Sequence, residues 1–287
     1  VERGIMMNKI KKLVVIVFAF VLSLSLMSFK KSSSSDINTF VDKLRNAKNL
    51  EYEVTVYNKN SASNKYMKKF SSDTTIRQGQ IQFNPQVFSE YVLSGYGTTN
   101  DDGRIAKAKR IFASADDLNS YARIYSPEPN KGYKGFTSPK ENEWVWIDKD
   151  DVAAPEVGRS EDILKLYEKY ANKFKKTEDD NYIYLDYSGD VSKDFEQVGK
   201  AQQTFAENKV FKSGKRYVKS VKLRIHLVIA KKDKATGEKM VPSEARIQIK
   251  AKGETDGAGA KLANEDNFIV SYRDINKIDS IEKPAGI

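Results

Sequence analysis

The sequence contains no cysteine and a single histidine, His226. The first absence removes a disulfide framework, a thiolate metal site, a cysteine nucleophile and a Cys-borne lipid together. The second removes a zinc site built on His and Cys ligands. It also leaves His226 as the one base open to a Ser-His-Asp arrangement. No Gly-x-Ser-x-Gly elbow, Gly-x-x-x-x-Gly-Lys phosphate loop or Gly-x-Gly-x-x-Gly fingerprint occurs. Carboxylate pairs such as Asp101/Asp102 and Asp148/Asp150 arise by chance among 39 acidic residues. The turn Asn100–Gly103 lacks the ligand spacing of a calcium loop. The chain therefore reads as a non-enzyme with no cofactor and no metal.

Long apolar runs are also scarce. The one that stands out, Leu13–Met27, has 15 residues and is shorter than the roughly 20 that span a bilayer. Asn8–Lys12 is basic, so the start reads as a signal peptide, with Met6 or Met7 as the first residue of the leader. Leu26-Met27-Ser28-Phe29 has the outline of a lipoprotein box with Phe29 where the lipid-bearing Cys belongs, and lipid transfer requires a thiol. The expectation is an extracytoplasmic protein, secreted or associated with the cell envelope, that is exported and not lipidated. Residues 1–28 are expected to be upstream residues and leader, 29–36 a Ser/Lys linker, and 37–287 one domain.

Charge is abundant and uneven. The chain carries +10, and residues 209–252 hold fourteen Lys/Arg against three Asp/Glu, so the rest of the mature part is net acidic. In that basic stretch Val221, Leu223, Ile225, Leu227 and Ile229 alternate with Lys222, Arg224 and His226. After a polar turn, Ala245, Ile247 and Ile249 alternate with Arg246, Gln248 and Lys250. Strands place alternate side chains on opposite faces, so this is a long antiparallel hairpin with one aliphatic and one cationic face. The aliphatic face needs a cover of helix, sheet or ligand. Two readings stand for Lys219, Lys222, Arg224, Arg246 and Lys250. They form a solvated face that discourages edge aggregation, or they attach the protein to an anionic membrane surface or wall polymer. Nucleic acid is not an expected partner of an exported chain.

Three stretches have helical apolar stripes: Ile37/Phe40/Val41/Leu44/Ala47, Ile163/Leu166/Tyr167/Tyr170/Phe174 and Phe195/Val198/Ala201/Phe205. The first helix is expected from an Asp36 cap to about Lys48, the second from a Ser160 cap, and the third within Val191–Asn208. Strands are expected at 50–57, 66–70, 74–83, 87–93, 120–126, 143–148, 181–187 and 267–273, with Gly79 and Pro85 as bulge or turn residues. Residues 58–65, 95–108 and 253–266 read as turns or loops. Trp144 and Trp146, two apart, share one face.

"LRNAKNLEYEVTV" (Leu44–Val56), Tyr121–Trp146 with its Glu-Trp-Val-Trp, and "YRDINKIDSIEKP" (Tyr272–Pro284) resemble the corresponding stretches of LolA-like exported proteins. Within that group the chain most resembles uncharacterised Gram-positive-type exported lipoproteins, and it resembles the LolA/LolB carriers and the LppX/LprG lipoproteins more distantly. The resemblance implies an α+β fold: a curved antiparallel β-sheet, a half-open barrel, with helices packed on its concave face. It also implies that the space between sheet and helices receives acyl chains. The expected function is a non-enzymatic extracytoplasmic binding protein for a lipid or other amphiphile, with Val221, Leu223, Ile225, Leu227, Ile249, Trp144, Trp146, Phe40 and Leu166 lining the cavity. The alternative is an envelope interaction module with a filled core and a basic surface.

Overall fold

The structure is a computed structural model that describes residues 34–64, 68–98, 104–114, 120–125, 144–147, 153–206, 209–212, 217–233, 236–254 and 259–283. The apolar run, Phe29 and the start of the linker lie outside the described residues. Ile37, Phe40, Val41 and Leu44 recur at helical spacing, and Ser34–Arg45 forms α1 with all four buried. Asp36 is not its cap. It lies in the first turn, buried, 2.9 Å from Lys176 Nζ, where a carboxylate favours the helix dipole.

Six strands follow: β1 (Asn49–Ser63), β2 (Lys68–Phe83), β3 (Gln86–Thr98), β4 (Arg104–Ser114), β5 (Ser120–Tyr125) and β6 (Trp144–Ile147). Next come α2 (Glu161–Tyr170), β7 (Lys175–Glu178), β8 (Tyr182–Asp190), α3 (Phe195–Gln203), the single-turn α4 (Lys209–Lys212), β9 (Val218–Lys232), β10 (Lys239–Glu254) and β11 (Lys261–Arg273).

Strands β1, β2, β3 and β11 are longer than their side-chain pattern indicates, and the expected irregular stretches are largely strand. The two strands expected at 66–70 and 74–83 are one, β2. β3 reaches Thr98, β4 starts at Arg104, and β11 starts at Lys261. Polar residues such as Asn58, Asn60 and Ser71 are held in the ladder by strands on both sides, and strand context overrides intrinsic propensity. Gly79 is no bulge, because the register Tyr52↔Gly79↔Glu90 runs unbroken through it. A Cβ at Gly79 would stand 2.2 Å from the Ser89 carbonyl oxygen, so the strands approach there as only glycine allows. Pro85 lies, as expected, in the tight turn between Phe83 and Gln86.

Among the described residues the strands form one antiparallel sheet in the order β6-β5-β4-β3-β2-β1-β11-β10-β9-β8-β7. This is two meanders joined where the first strand meets the last. The sheet curves as a half-open barrel, and register shifts at Ser94/Gly95, Pro242/Glu244 and Lys252/Gly253 bend it as bulges do. Since β6 and β7 are opposite edges, the chain between them must travel from one rim to the other, and it does so with α2 on the concave side. α1 and α4 pack on β10, α4 also on β11, and α2 is held between α1 and α3. The aromatic ring of Phe40 meets Tyr167 and Tyr272 edge-on at 6.1 and 6.2 Å.

Polar contacts fasten the helical layer. Arg159 donates from Nε to Leu44 O and from Nη2 to Arg45 O, both at 2.9 Å, and its guanidinium lies 3.9 Å above the Phe83 ring. It thereby satisfies the C-terminal carbonyls of α1. Arg45 reaches Glu161 at 2.9 Å and Glu168 at 3.0 Å on α2. Ser160 stands at the start of α2, yet its side chain makes no capping bond. Glu156 instead accepts from the backbone N–H of Arg159 (2.9 Å) and Ser160 (3.4 Å), and burial pushes its carboxyl pKa up.

The tip of the β9–β10 hairpin is closed by Asp233. Its carboxylate accepts from the Thr236 N–H at 2.8 Å and the Thr236 hydroxyl at 2.9 Å, and Lys277 Nζ stands 3.1 Å away. These donors hold its pKa at about 2, well below the usual carboxylate range. The stabilisation they give is therefore complete above that usual range and is lost as pH falls through about 2. Carboxyl chemical shifts followed by NMR are expected to show that midpoint, and Lys277→Met to raise it. An ordinary midpoint in the wild type would contradict this geometry.

Candidate functional site

The concave face divides into an apolar and a polar zone. In the apolar zone Val221, Leu223, Ile225 and Leu227 of β9 and Ile249 of β10 form the floor, while Phe40 of α1 and Leu166 of α2 lie in the cover. All seven are at most 1% exposed and belong to one continuous core. The structure thus brings together seven of the nine residues singled out for a cavity. Trp144 and Trp146 fall on β6, an edge strand separated from β9 by seven others, and their side chains lie outside the described residues.

The polar zone occupies the same face further along β1 and β11. Asn58 and Asn60 continue the inward parity of Tyr52, Val54 and Val56. Asn264 and Asp266 continue that of Phe268 and Val270. All four are buried. Asn58 Nδ2 donates to Asp266 Oδ1, and Asn60 Nδ2 donates to Asn58 Oδ1. The pairing register sets Asp73 and Ser71 of β2 opposite Asn58 and Asn60. Asn60 Oδ1 and Asn264 Nδ2 are buried with no protein partner, a state that costs about 1–3 kcal/mol per group. Phe268, the next inward residue of β11, stacks on Phe205 with ring centroids 4.7 Å apart.

On β1–β3 the same face carries a second buried polar group. Tyr52 OH donates to Glu90 Oε2 at 2.9 Å, and Arg77 Nη1 stands 3.6 Å from Glu90 Oε1. The missing side chain of Gly79, between Tyr52 and Glu90, makes the space for this contact. Burial, and then the neighbouring carboxylate, push the Tyr52 phenol pKa far up, so it stays a neutral donor. Among the described residues no group of three His, Asp or Glu side chains is placed to hold a metal ion.

The outer face of β8–β11 is charge-paired rather than uniformly cationic. Lys219 lies 3.5 Å from Glu254 and Lys250 3.1 Å from Glu265, while Arg246 makes a two-pronged contact with Glu244. Lys222 and Arg224 are exposed, and the register sets them opposite Asp190 and Ser188. His226, on the same face, is partly buried. Its Nδ1 lies 2.7 Å from Asp186 Oδ1, and its ring stacks on Tyr184 at 6.1 Å.

Sequence reasoning missed the polar zone because 58–65 and 253–266 read as turns. The signal was present in the parity, since Asn58 and Asn60 fall on the positions that Val54 and Val56 mark as inward. The pairing of Arg246 was also visible, as Glu244 precedes it by two residues and a strand turns both to one face.

No protein-family model matches the chain, and no curated protein matches it. Among solved structures it is similar to a beta-barrel-like protein of the domain of unknown function DUF1849 from Brucella abortus. The identity is 10% over 78% of this chain and 99% of that one, with a TM-score of 0.23. It is also similar to a DUF1329 family protein from Desulfovibrio piger, at 10% identity over 87% and 98% of the two chains and a TM-score of 0.18. A LolA superfamily protein from Nitrosomonas europaea aligns at 8% identity over 88% and 96%, with a TM-score of 0.18.

Proposed function

We propose that this chain is a non-catalytic binding protein of the cell envelope that takes an amphiphile on the concave face of its sheet. The observation that carries the reading is the two-zone face. A continuous aliphatic floor serves a hydrocarbon tail, and beside it lies a buried patch of three carboxamides and one carboxylate, with two unpartnered amide atoms for a polar head. Buried polar atoms without partners call for an explanation, and a ligand headgroup supplies one. Placement outside the cytoplasm rests on the basic start followed by the apolar run Leu13–Met27. No helix among the described residues is long and apolar enough to cross a membrane. For a tail to enter, the helical layer must lift. Its exposed fastenings, such as Arg45 to Glu161 and Glu168, are of a kind that contributes little each.

The second reading, a filled-core interaction module, is favoured by the complete burial of Leu223 and its neighbours under α1 and α2. Native mass spectrometry of protein purified from its own envelope separates the two. A binding protein is expected to carry adduct masses of a fatty acid or phospholipid. Re-adding that lipid to stripped protein should raise the thermal midpoint with concentration, because a ligand that binds only the native state stabilises it. Bare polypeptide mass and an unmoved midpoint would leave the filled-core module.

A further inference from the structure

Among the described residues the sheet is unzipped where β10 and β11 part. The β10–β11 ladder ends at Glu244↔Ser271. Beyond it, Val241 and Pro242 pair only with β9, at Ala230 and Ile229, while Tyr272 and Arg273 pair only with β1, at Tyr52 and Glu51. Between the parted strands lies a cavity of about 160 Å³ lined by Tyr182, Lys232, Ser243, Arg273, Asp274 and Ile275, among others. Arg273 and Asp274 are exposed, so the cleft is reached from solvent.

A second observation marks the same place. Among the described residues the non-glycine residues with positive φ are Met240 (57°), Asp274 (46°) and Asn276 (61°). Met240 precedes the parted stretch of β10, Asp274 lines the cavity, and Asn276 follows Ile275 in its wall. Such a conformation is costly, most of all for methionine, and such residues concentrate at binding sites. The wall is also fixed from behind: Asn276 N–H donates to Asn49 O at 2.9 Å, and Lys48 N–H donates to Asn276 Oδ1 at 2.6 Å. Unpaired strand edges, left-handed residues and a preformed cavity thus coincide.

We propose that this cleft binds a small zwitterion bearing one carboxylate and one ammonium group, of the size of an α-amino acid. The lining carries both signs of charge: Lys232 and Arg273 against Asp233 and Asp274. A pure anion would face the carboxylates and a pure cation the basic groups, so a ligand with both charges fits best. Asp233 is engaged by Thr236 and Lys277, which assigns the ligand's ammonium to Asp274. Arg273 is 3.6 Å from Glu51, a long contact on an exposed side chain, and it meets the carboxylate together with Lys232. A cavity of about 150 Å³ accommodates a six-carbon ring, so this one takes a ligand of about that many heavy atoms. Tyr182 and Ile275 give its apolar wall. The site lies about 20 Å along β11 from Asp266, counted at the rise of an extended strand, and it does not depend on the amphiphile reading.

The test uses the full mature chain, isotope-labelled, titrated with L-alanine, with acetate and ethylammonium as single-charge controls at low salt. L-Alanine is expected to shift the amides of Met240–Ser243 and Tyr272–Asn276 in a saturable way, while each control binds roughly tenfold or more weakly, having lost one charged contact. Arg273→Gln and Asp274→Asn should each weaken L-alanine by a similar factor and leave the ligand-free thermal midpoint in place. Asn tolerates the left-handed backbone at position 274, so the second variant keeps the test valid if the first perturbs folding. Equal binding of acetate, shifts that map elsewhere, or no saturable shift with L-alanine would each overturn the proposal.

Discussion

Arg77→Met is expected to lower the unfolding free energy by about 3–5 kcal/mol, the usual loss when one partner of a buried ion pair is removed. The Glu90 side chain is fully enclosed, whereas Arg77 keeps about a fifth of its side-chain surface. The variant therefore leaves a carboxylate in the interior without the cation that stands 3.6 Å from it. Tyr52 still donates to Glu90, but a neutral hydroxyl interacts more weakly with a carboxylate than a guanidinium does. Glu90→Gln placed on top of Arg77→Met is expected to restore much of the loss, because it removes the charge and keeps an acceptor for Tyr52. Urea unfolding of the two single variants and the double variant measures the coupling, provided the denaturant slope is unchanged. A loss below about 1 kcal/mol for Arg77→Met would mean that the pair behaves as a surface contact.

Leu223→Ala is the second large effect, at about 2–5 kcal/mol. Leu223 has no exposed surface and sits mid-strand in the floor, between Val221 and Ile225 and opposite Ile249. The variant leaves a cavity that the flanking β8 and β10 cannot close without breaking their ladders. Leu223→Trp divides the functional readings. If the helical layer lifts to admit a tail, the indole is accommodated and lipid is lost. If the layer is seated for good, the added volume costs about 1–3 kcal/mol or more, and there is no lipid to lose. Thermal midpoint and bound-lipid mass, read on the same preparation, give the answer.

These two variants also mark what the residues alone disclosed. Leu223 and its cover were legible, because strict alternation in Val221–Ile229 and the helical spacing of Ile37–Leu44 and Ile163–Tyr170 each point to a buried face. Asn58 and Asp266 were not, because a charged or amide side chain on an inward position contradicts the pattern that defines inward, and the strand reads as ended there. Arg77 and Glu90 lie inside strands that were expected, but nothing in those strands alone marks their charges as facing inward. Only pairing partners tens to hundreds of residues away restore the register, as when Asn58 meets both Asp73 and Asp266. At the split, Pro242 signals a break, because it has no N–H to give a ladder, but the pattern does not say which neighbour is lost; the cleft exists because β10 and β11 stop pairing while each keeps its other neighbour.

The junction of the two meanders bears on how the chain acquires its shape. β1 and β11 share thirteen residue pairs, from Glu51↔Arg273 to Ser63↔Lys261, between segments that all the other described strands separate in sequence. Until β11 emerges, β1 presents a fifteen-residue open edge, and open edges of that length recruit other chains. Contacts so far apart in sequence make for slow folding. A ribosome that stalls before residue 261 would therefore release a sticky half-sheet, and the time during which β1 is vulnerable to self-association ends only when β11 has been made.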